Sequence, residues 1–187
     1  MNDMQRRLAA GTVAGLVAFV LAYVLVYALT ISTVQDSLLT GFAEAFGGEN
    51  PAWKIVGWIL FNAQFVTTTI TVDVPLLGGT DAVNFIAESD SLSPVLYVVP
   101  PALLAAAGLA MARLTGASDA GEALKTGPTV ALGYLPASIV GAFLFAVSVG
   151  SESGGSPTLL TAVVLAGVVY PVVFGGLGAV AGATLSE

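Results

Sequence analysis

The sequence predicts an all-α integral membrane protein, built as a bundle of four or five transmembrane helices with a partly helical outer loop. Composition is the first observation behind this prediction. Of the 187 residues, 56% are hydrophobic and only 9% are charged, whereas soluble domains carry roughly 25% charged residues. A soluble fold of this length could not remove so much apolar surface from water, and a bilayer makes that removal unnecessary.

Four long uncharged runs are the second observation. They contain no Asp, Glu, Lys or Arg, and they cover residues 8–35, 91–112, 126–151 and 153–186. A membrane span needs ~20 mostly apolar residues to cross the hydrocarbon core, so each run is long enough. We therefore predict a single membrane domain over residues 1–187, with spans at about 8–31, 95–114, 129–149 and 158–183.

Helix-start signals are the third observation. Ser93-Pro94 and Ser156-Pro157 each combine an N-cap serine with a proline at the first helical position. Proline is well tolerated there because its missing N–H would have no partner within the helix. Pro128, just after Gly127, marks the start of the third span in the same way.

The segment 52–72 is a fifth, ambiguous stretch. Asn50-Pro51 predicts a helix to about Ala63, after which apolar residues alternate with threonines up to residue 74 and predict a strand. A helix that ends near Gln64 is ~20 Å long, too short for a ~30 Å hydrocarbon core. A helix that continued unbroken to Val72 would be long enough to cross.

The basic residues favour the four-span arrangement, because cytoplasmic loops of membrane proteins are rich in Lys and Arg. With four spans, only Lys54 lies outside, and the cytoplasmic side holds Arg6, Arg7, Arg113 and Lys125. With five spans, only the first two arginines remain inside. We therefore predict a multi-pass protein of the cell membrane with both termini cytoplasmic.

This topology makes residues 32–94 an acidic outer loop that contains a re-entrant or interfacial helix. Ser32 and Gln35 resemble a capping box, which predicts the start of a further helix there.

Several classes of function are disfavoured by composition. The chain has no cysteine and no histidine, and its net charge is −7, so thiol chemistry is excluded and nucleic acid is not an expected partner. The predicted spans contain no Asp, Glu or Lys, the residues that usually mark proton relays in membranes. We expect no enzyme activity, no catalytic residue, no metal ligand and no cofactor.

Four polar residues are the candidate ligand-binding groups. Asn62 and Gln64 lie in an apolar helix, where they need hydrogen-bond partners if they are buried. Tyr134 and Tyr170 precede prolines within spans, where a bent helix exposes carbonyl groups such as those lining transporter pathways. The alternatives are that the amides fix a re-entrant helix to its neighbours and that the prolines only bend helices for packing.

Small residues at spacing four, such as Gly11 and Gly15 or Gly133 and Ala137, predict a tightly packed bundle. The expected partners are the lipid bilayer itself and either further copies of the chain or another membrane protein.

Six stretches together resemble a family of uncharacterised haloarchaeal polytopic membrane proteins. They are Trp53–Trp58, Phe61–Phe65, Ala82–Ala87, Leu96–Pro101, Tyr134–Pro136 and Val169–Phe174. Such proteins are often labelled "transporter", so the resemblance implies a salt-adapted source and a transporter-like or channel-like component without an intramembrane proton relay. A non-catalytic structural or accessory membrane subunit is the alternative. A polar cavity reaching mid-membrane would favour transport, and a solid core would favour the accessory subunit.

Overall fold

A computed structural model of the chain describes residues 2–38, 52–72, 78–149 and 153–185. Most of this part is helical. Four helices are long and apolar enough to cross a membrane, as the uncharged runs predict, and they are Asp3–Asp36, Pro94–Thr115, Ala120–Leu144 and Leu159–Thr184. We refer to them as the first to fourth long helices.

The long helices differ in regularity. The first is α-helical over Asp3–Thr33 and then forms a π-helical turn, Val34–Leu38. A 3-10 turn, Pro94–Val98, precedes the α-helix Val99–Thr115 in the second. The third consists of Ala120–Thr126 (α), Gly127–Val130 (3-10) and Ala131–Leu144 (α). The fourth consists of Leu159–Thr161 (α), Ala162–Val169 (π) and Tyr170–Thr184 (α).

The predicted helix start at Ser32 is wrong. The first helix continues through this position, because the Val34 N–H bonds to the carbonyls of Thr30 and Ile31 and the Val34 side chain is buried. The remainder of that predicted outer-loop helix lies outside the described residues.

Close backbone approach holds the long helices together. A Cβ added at Gly15 would overlap the carbonyl oxygen of Val130 in the third helix, and one added at Gly178 would overlap that of Ala105 in the second. The tight packing predicted from the small residues is therefore confirmed.

A four-stranded antiparallel sheet covers one end of the bundle, which we call the sheet end. Its strands are β1 Thr68–Val72, β2 Gly79–Val83, β3 Val147–Val149 and β4 Ser153–Pro157, in the order β2-β1-β4-β3. The alternating pattern predicts strand β1, but the other three strands correct the all-α expectation. The predicted helix start at Ser156-Pro157 is wrong, because both residues pair within β4 and the helix begins at Leu159. The third long helix begins at Ala120, before the predicted start at 129, so that Pro128 lies within it. It also ends at Leu144, earlier than predicted, because the chain turns into β3.

The opposite end of the bundle, which we call the terminal end, contains the first and last described helical residues, Asp3 and Thr184. The chain reverses there once more, between the second helix ending at Thr115 and the third beginning at Ala120.

One short helix, Ala52–Asn62, lies inside the bundle near the sheet end, and we call it the buried helix. Its eleven residues span about 16 Å, well short of a ~30 Å hydrocarbon core. The segment at 52–72 is thus a short helix followed by a strand, as the change of period predicts. Every residue from 55 to 64 is buried.

Candidate functional site

At the sheet end, hydrogen bonds fix the first turns of the buried helix to the neighbouring segments. Trp58 Nε1 donates a 2.7 Å hydrogen bond to the Phe145 carbonyl, and Lys54 Nζ donates one of 2.8 Å to the Ala146 carbonyl. Tyr23 of the first long helix donates its hydroxyl to the Trp53 carbonyl at 3.0 Å. The first long helix and the residues that directly follow the third long helix therefore both bind the first turns of the buried helix.

Aromatic rings fill the space around the helix. Phe145 stacks on Tyr23 with ring centroids 5.3 Å apart and meets Phe61 edge-on at 6.3 Å. Gly57 is required here, because a Cβ at that position would overlap the Phe145 ring. Phe19 from the first long helix packs edge-on against Phe61 from the inner side.

The buried helix ends at an unusual residue, Phe65, whose φ of 58° is left-handed. The Val66 N–H reaches back to the Phe61 carbonyl at 3.0 Å, and the Phe65 N–H reaches the Asn62 carbonyl at 2.9 Å. This pattern is a Schellman motif, which normally uses glycine at the left-handed position. A side chain in this conformation costs about 1–2 kcal/mol, and the Phe65 ring stacks on Tyr97 with centroids 4.8 Å apart.

Asn62 joins three segments at the end of the buried helix. Its Nδ2 donates to the Val66 carbonyl at 2.8 Å and to Thr68 Oγ1 at 3.3 Å. Its Oδ1 accepts the Phe85 N–H at 2.9 Å. Because both amide hydrogens and the oxygen are used, Asn62 fixes β1 and the short helix Phe85–Glu88 to the buried helix.

Gln64 links the buried helix to the third long helix. Its Oε1 accepts a 3.0 Å hydrogen bond from the Tyr134 hydroxyl, and its Nε2 donates to the Leu60 carbonyl at 3.1 Å. Both side chains are fully buried. The Tyr134 ring also packs edge-on against Phe19, with centroids 5.2 Å apart.

A further pair, Asn84 and Tyr97, extends the network to the second long helix. Asn84 Oδ1 caps the helix Phe85–Glu88 and accepts the Tyr97 hydroxyl at 3.2 Å. Its Nδ2 donates to the Asn62 carbonyl at 3.4 Å. We call Asn62, Gln64, Thr68, Asn84, Tyr97 and Tyr134 the polar junction.

Three of the four predicted site residues meet in the polar junction, and the fourth stands beside it. Tyr170 is half-buried against Phe174, with ring centroids 5.1 Å apart. Its hydroxyl forms no hydrogen bond with the residues that the structure describes.

The polar junction is a closed network of neutral groups. Within the described segments, every buried side-chain nitrogen and oxygen has a hydrogen-bond partner. No cluster of three or more carboxylates that could hold a metal ion occurs among these residues either. The network is suited to holding the end of a helix in place, since it contains no acid, base or nucleophile aimed at open space.

Comparison with known families gives a match that covers residues 2–186. The chain belongs to the DUF7978 family, a family of unknown function. Neither the curated proteins nor the solved structures contain a match.

In this DUF7978 protein, Phe65 and Asn84 are not among the four candidate site residues that the sequence predicts. The Asn84-Phe85 step carries an N-cap signal that would have placed a helix start there. Nothing in the sequence marks Phe65, because its left-handed conformation occurs at a residue that seldom adopts it.

Proposed function

We propose that this chain is a non-catalytic, multi-pass protein of the cell membrane with a solid core, acting as a structural or accessory subunit. One observation carries the proposal: from the sheet end inward to the depth of Phe19 and Tyr134, the interior of the bundle, where a carrier needs a water-filled path, is filled by the buried helix. Residues 55–64 of this segment are all buried. Phe19 and Phe145 pack edge-on against Phe61 of this segment, and the Tyr134 hydroxyl donates a hydrogen bond to Gln64.

The end of the buried helix supports the same proposal. Free carbonyls at the end of a half-helix bind cations in transporters. Here the carbonyls of Ile59, Leu60, Phe61 and Asn62 each accept a hydrogen bond from a backbone N–H or a side-chain amide of the same segment. A cation would have to displace these hydrogen bonds before it could bind.

Charge supports an orientation with the terminal end in the cytoplasm. Arg6, Arg7, Arg113 and Lys125 belong to the terminal end, and Lys54 lies at the sheet end. Because the chain contains no cysteine, single cysteines report the side directly. We expect Ser89→Cys to react with an impermeant thiol reagent from outside intact cells and Ser118→Cys to react only after lysis. The opposite pattern would overturn the orientation.

A matched pair of cysteines tests the solid core. Ser138 is fully buried in the third long helix and donates its hydroxyl to the Tyr134 carbonyl at 2.9 Å, whereas Ser148 is exposed in β3. With a small water-soluble methanethiosulfonate, we expect Ser148→Cys to react rapidly and Ser138→Cys to remain unmodified in folded protein. Rapid reaction at residue 138 would mean that water reaches the core, and the proposal would be abandoned.

A transporter-like or channel-like role is the second candidate, favoured by the irregular helices. Pro136 lies inside the third helix, and eight residues of the fourth, Ala162–Val169, are π-helical. Such irregularities often occur at functional sites in membrane helices. This candidate predicts potassium or chloride efflux from proteoliposomes above that of protein-free vesicles, whereas the accessory proposal predicts none.

The accessory role has its own experiment. Purification in a mild detergent should retain a second membrane protein in a fixed stoichiometry, and the same ratio should be recovered when that protein carries the affinity tag. Recovery of the chain alone after both purifications would contradict the accessory role.

A further inference from the structure

A long apolar groove runs between the first and second long helices on the outer surface of the bundle. Its volume is about 560 Å³, within the roughly 300–1,000 Å³ range of ligand sites. All twelve lining residues are Ala, Val or Leu, and Ala14 and Ala107 are typical of its two walls. Methyl groups on both walls leave a channel that the protein's own side chains do not fill.

At the terminal end the groove adjoins a second cavity of about 500 Å³ whose lining is half polar and half apolar. Ala10 and Leu114 line both cavities, so the two are neighbours. Arg6, Arg7, Asp3 and Thr115 complete the polar lining. The combined shape is an apolar slot with a charged mouth.

The mouth has a net positive charge that is available to a ligand. Arg6 and Arg7 outnumber Asp3, and neither guanidinium side chain bonds to another residue in the described part of the chain. Thr115 adds no donor, because its hydroxyl already donates to the Met111 carbonyl at 2.8 Å. The site therefore offers two free cations next to an apolar slot.

The length of the slot matches one leaflet of a bilayer. The first helix lines it from Ala9 to Leu21, which at 1.5 Å per residue is about 18 Å. Half of a ~30 Å hydrocarbon core is about 15 Å. A chain of one lipid molecule would therefore fill the slot while its headgroup sits at the mouth.

From these observations we propose that the groove and its mouth bind an anionic phospholipid, with the phosphate on Arg6 and Arg7 and one hydrocarbon chain between the helices. Basic pockets between helices on the cytoplasmic side bind anionic headgroups in this way. A second copy of the chain fits less well. A two-fold dimer about the membrane normal places identical surfaces together at one depth and would bring four arginines into contact.

The test uses the full-length protein in detergent and measures bound lipid by native mass spectrometry, with phosphatidylglycerol and phosphatidylcholine of identical chains as probes. We expect phosphatidylglycerol to be retained preferentially. The double variant Arg6→Gln/Arg7→Gln should reduce its affinity ~30-fold, from the free-energy contribution of two surface cations. Arg113→Gln, a basic residue of the same end that does not line the mouth, is the matched control.

A second variant tests the slot separately. Ala106→Leu fills the groove at an exposed position, and Ala28→Leu makes the same change on exposed surface outside it. We expect only the former to lose phosphatidylglycerol. Equal retention of the two lipids, or loss in Ala106→Leu without loss in the arginine variant, would overturn the proposal. So would a lipid-free dimer that Ala106→Leu converts to monomer, which would assign the groove to a second copy.

Discussion

The Tyr134 hydroxyl donates a 3.0 Å hydrogen bond to Gln64 Oε1, and both side chains are fully buried. This bond links the terminal turn of the buried helix to the third long helix. The Phe19 ring of the first long helix packs edge-on against the Tyr134 ring and also against Phe61 of the buried helix. The pair therefore sets the position of the end of the helix within an otherwise apolar core.

Removing the tyrosine hydroxyl should reveal the strength of this link. Tyr134→Phe leaves Gln64 Oε1 buried without its partner, and we expect a loss of about 1–2 kcal/mol in the free energy of unfolding. The double variant Tyr134→Phe/Gln64→Leu should lose less free energy of unfolding than the sum of the two single variants. Both partners of the hydrogen bond are then absent, so neither is left buried without its partner. Detergent-based unfolding titrations measure both.

Tyr27→Phe is the control for the tyrosine change, since Tyr27 is exposed on the first long helix. It should leave stability unchanged. Strict additivity of the Tyr134 and Gln64 variants would show that the hydrogen bond does not couple the two residues.

Asn62 should be the most sensitive position of the polar junction. Asn62→Ala removes three hydrogen bonds and leaves the Val66 carbonyl and the Phe85 N–H to find other partners, so we expect a loss of about 3 kcal/mol or more. Asn62→Asp should be no more stable than Asn62→Ala, because a carboxylate oxygen, which is an acceptor, would then face the Val66 carbonyl oxygen. The comparison is Asn2→Ala at the exposed helix cap, which should cost about 1 kcal/mol. Equal losses at both asparagines would contradict the central role of Asn62.

The long helices and the buried helix could be predicted because their signals are local. The uncharged runs show where the long helices lie, and the change of period after Gln64 shows where the buried helix gives way to β1. Asn62 and Gln64 could be selected as candidates because amides in an apolar helix need partners. Which residues these amides pair with could not be predicted, since Tyr134 and Phe85 are distant from them in the chain.

Strands β2 to β4 lacked a local signal. Strand β4 is Ser-Gly-Gly-Ser-Pro, with no alternation of apolar and polar residues, and it is a strand because it pairs with β1. Gly155 within it is explained only by the fold: a Cβ there would overlap the Trp58 ring. Such a strand forms because it pairs with a segment that is distant in the sequence, and its own composition does not indicate that pairing.

The left-handed Phe65 predicts an unusual order of stability among its variants. Phe65→Gly relieves the backbone strain but loses the stacking on Tyr97, whereas Phe65→Ala loses the stacking and keeps the strain. We therefore expect Phe65→Gly to be more stable than Phe65→Ala by about 1 kcal/mol. Elsewhere in a helix alanine is the more stable residue by a similar amount. Thermal unfolding of the two variants in the same detergent measures the difference, and an alanine variant at least as stable as the glycine variant would contradict it.

The helix contacts made by glycine predict a large effect from a single methyl group. A Cβ at Gly15 would overlap the Val130 carbonyl oxygen, and one at Gly133 would overlap that of Thr12, so the first and third long helices approach closely from both sides. Backbone atoms cannot move aside as a flexible side chain would, and Gly15→Ala and Gly133→Ala should each cost about 1–3 kcal/mol.

Gly79→Ala is the control for these methyl groups, since nothing lies within 4 Å of the added carbon at the start of β2. It should not lower the midpoint of thermal unfolding. The double variant Gly15→Ala/Gly133→Ala should lose less free energy of unfolding than the sum of the two single variants. The first methyl group already separates the helices and so makes room for the second. If Gly15→Ala unfolds at the same temperature as Gly79→Ala, the two helices are not in backbone contact and the bundle is looser than the structure describes.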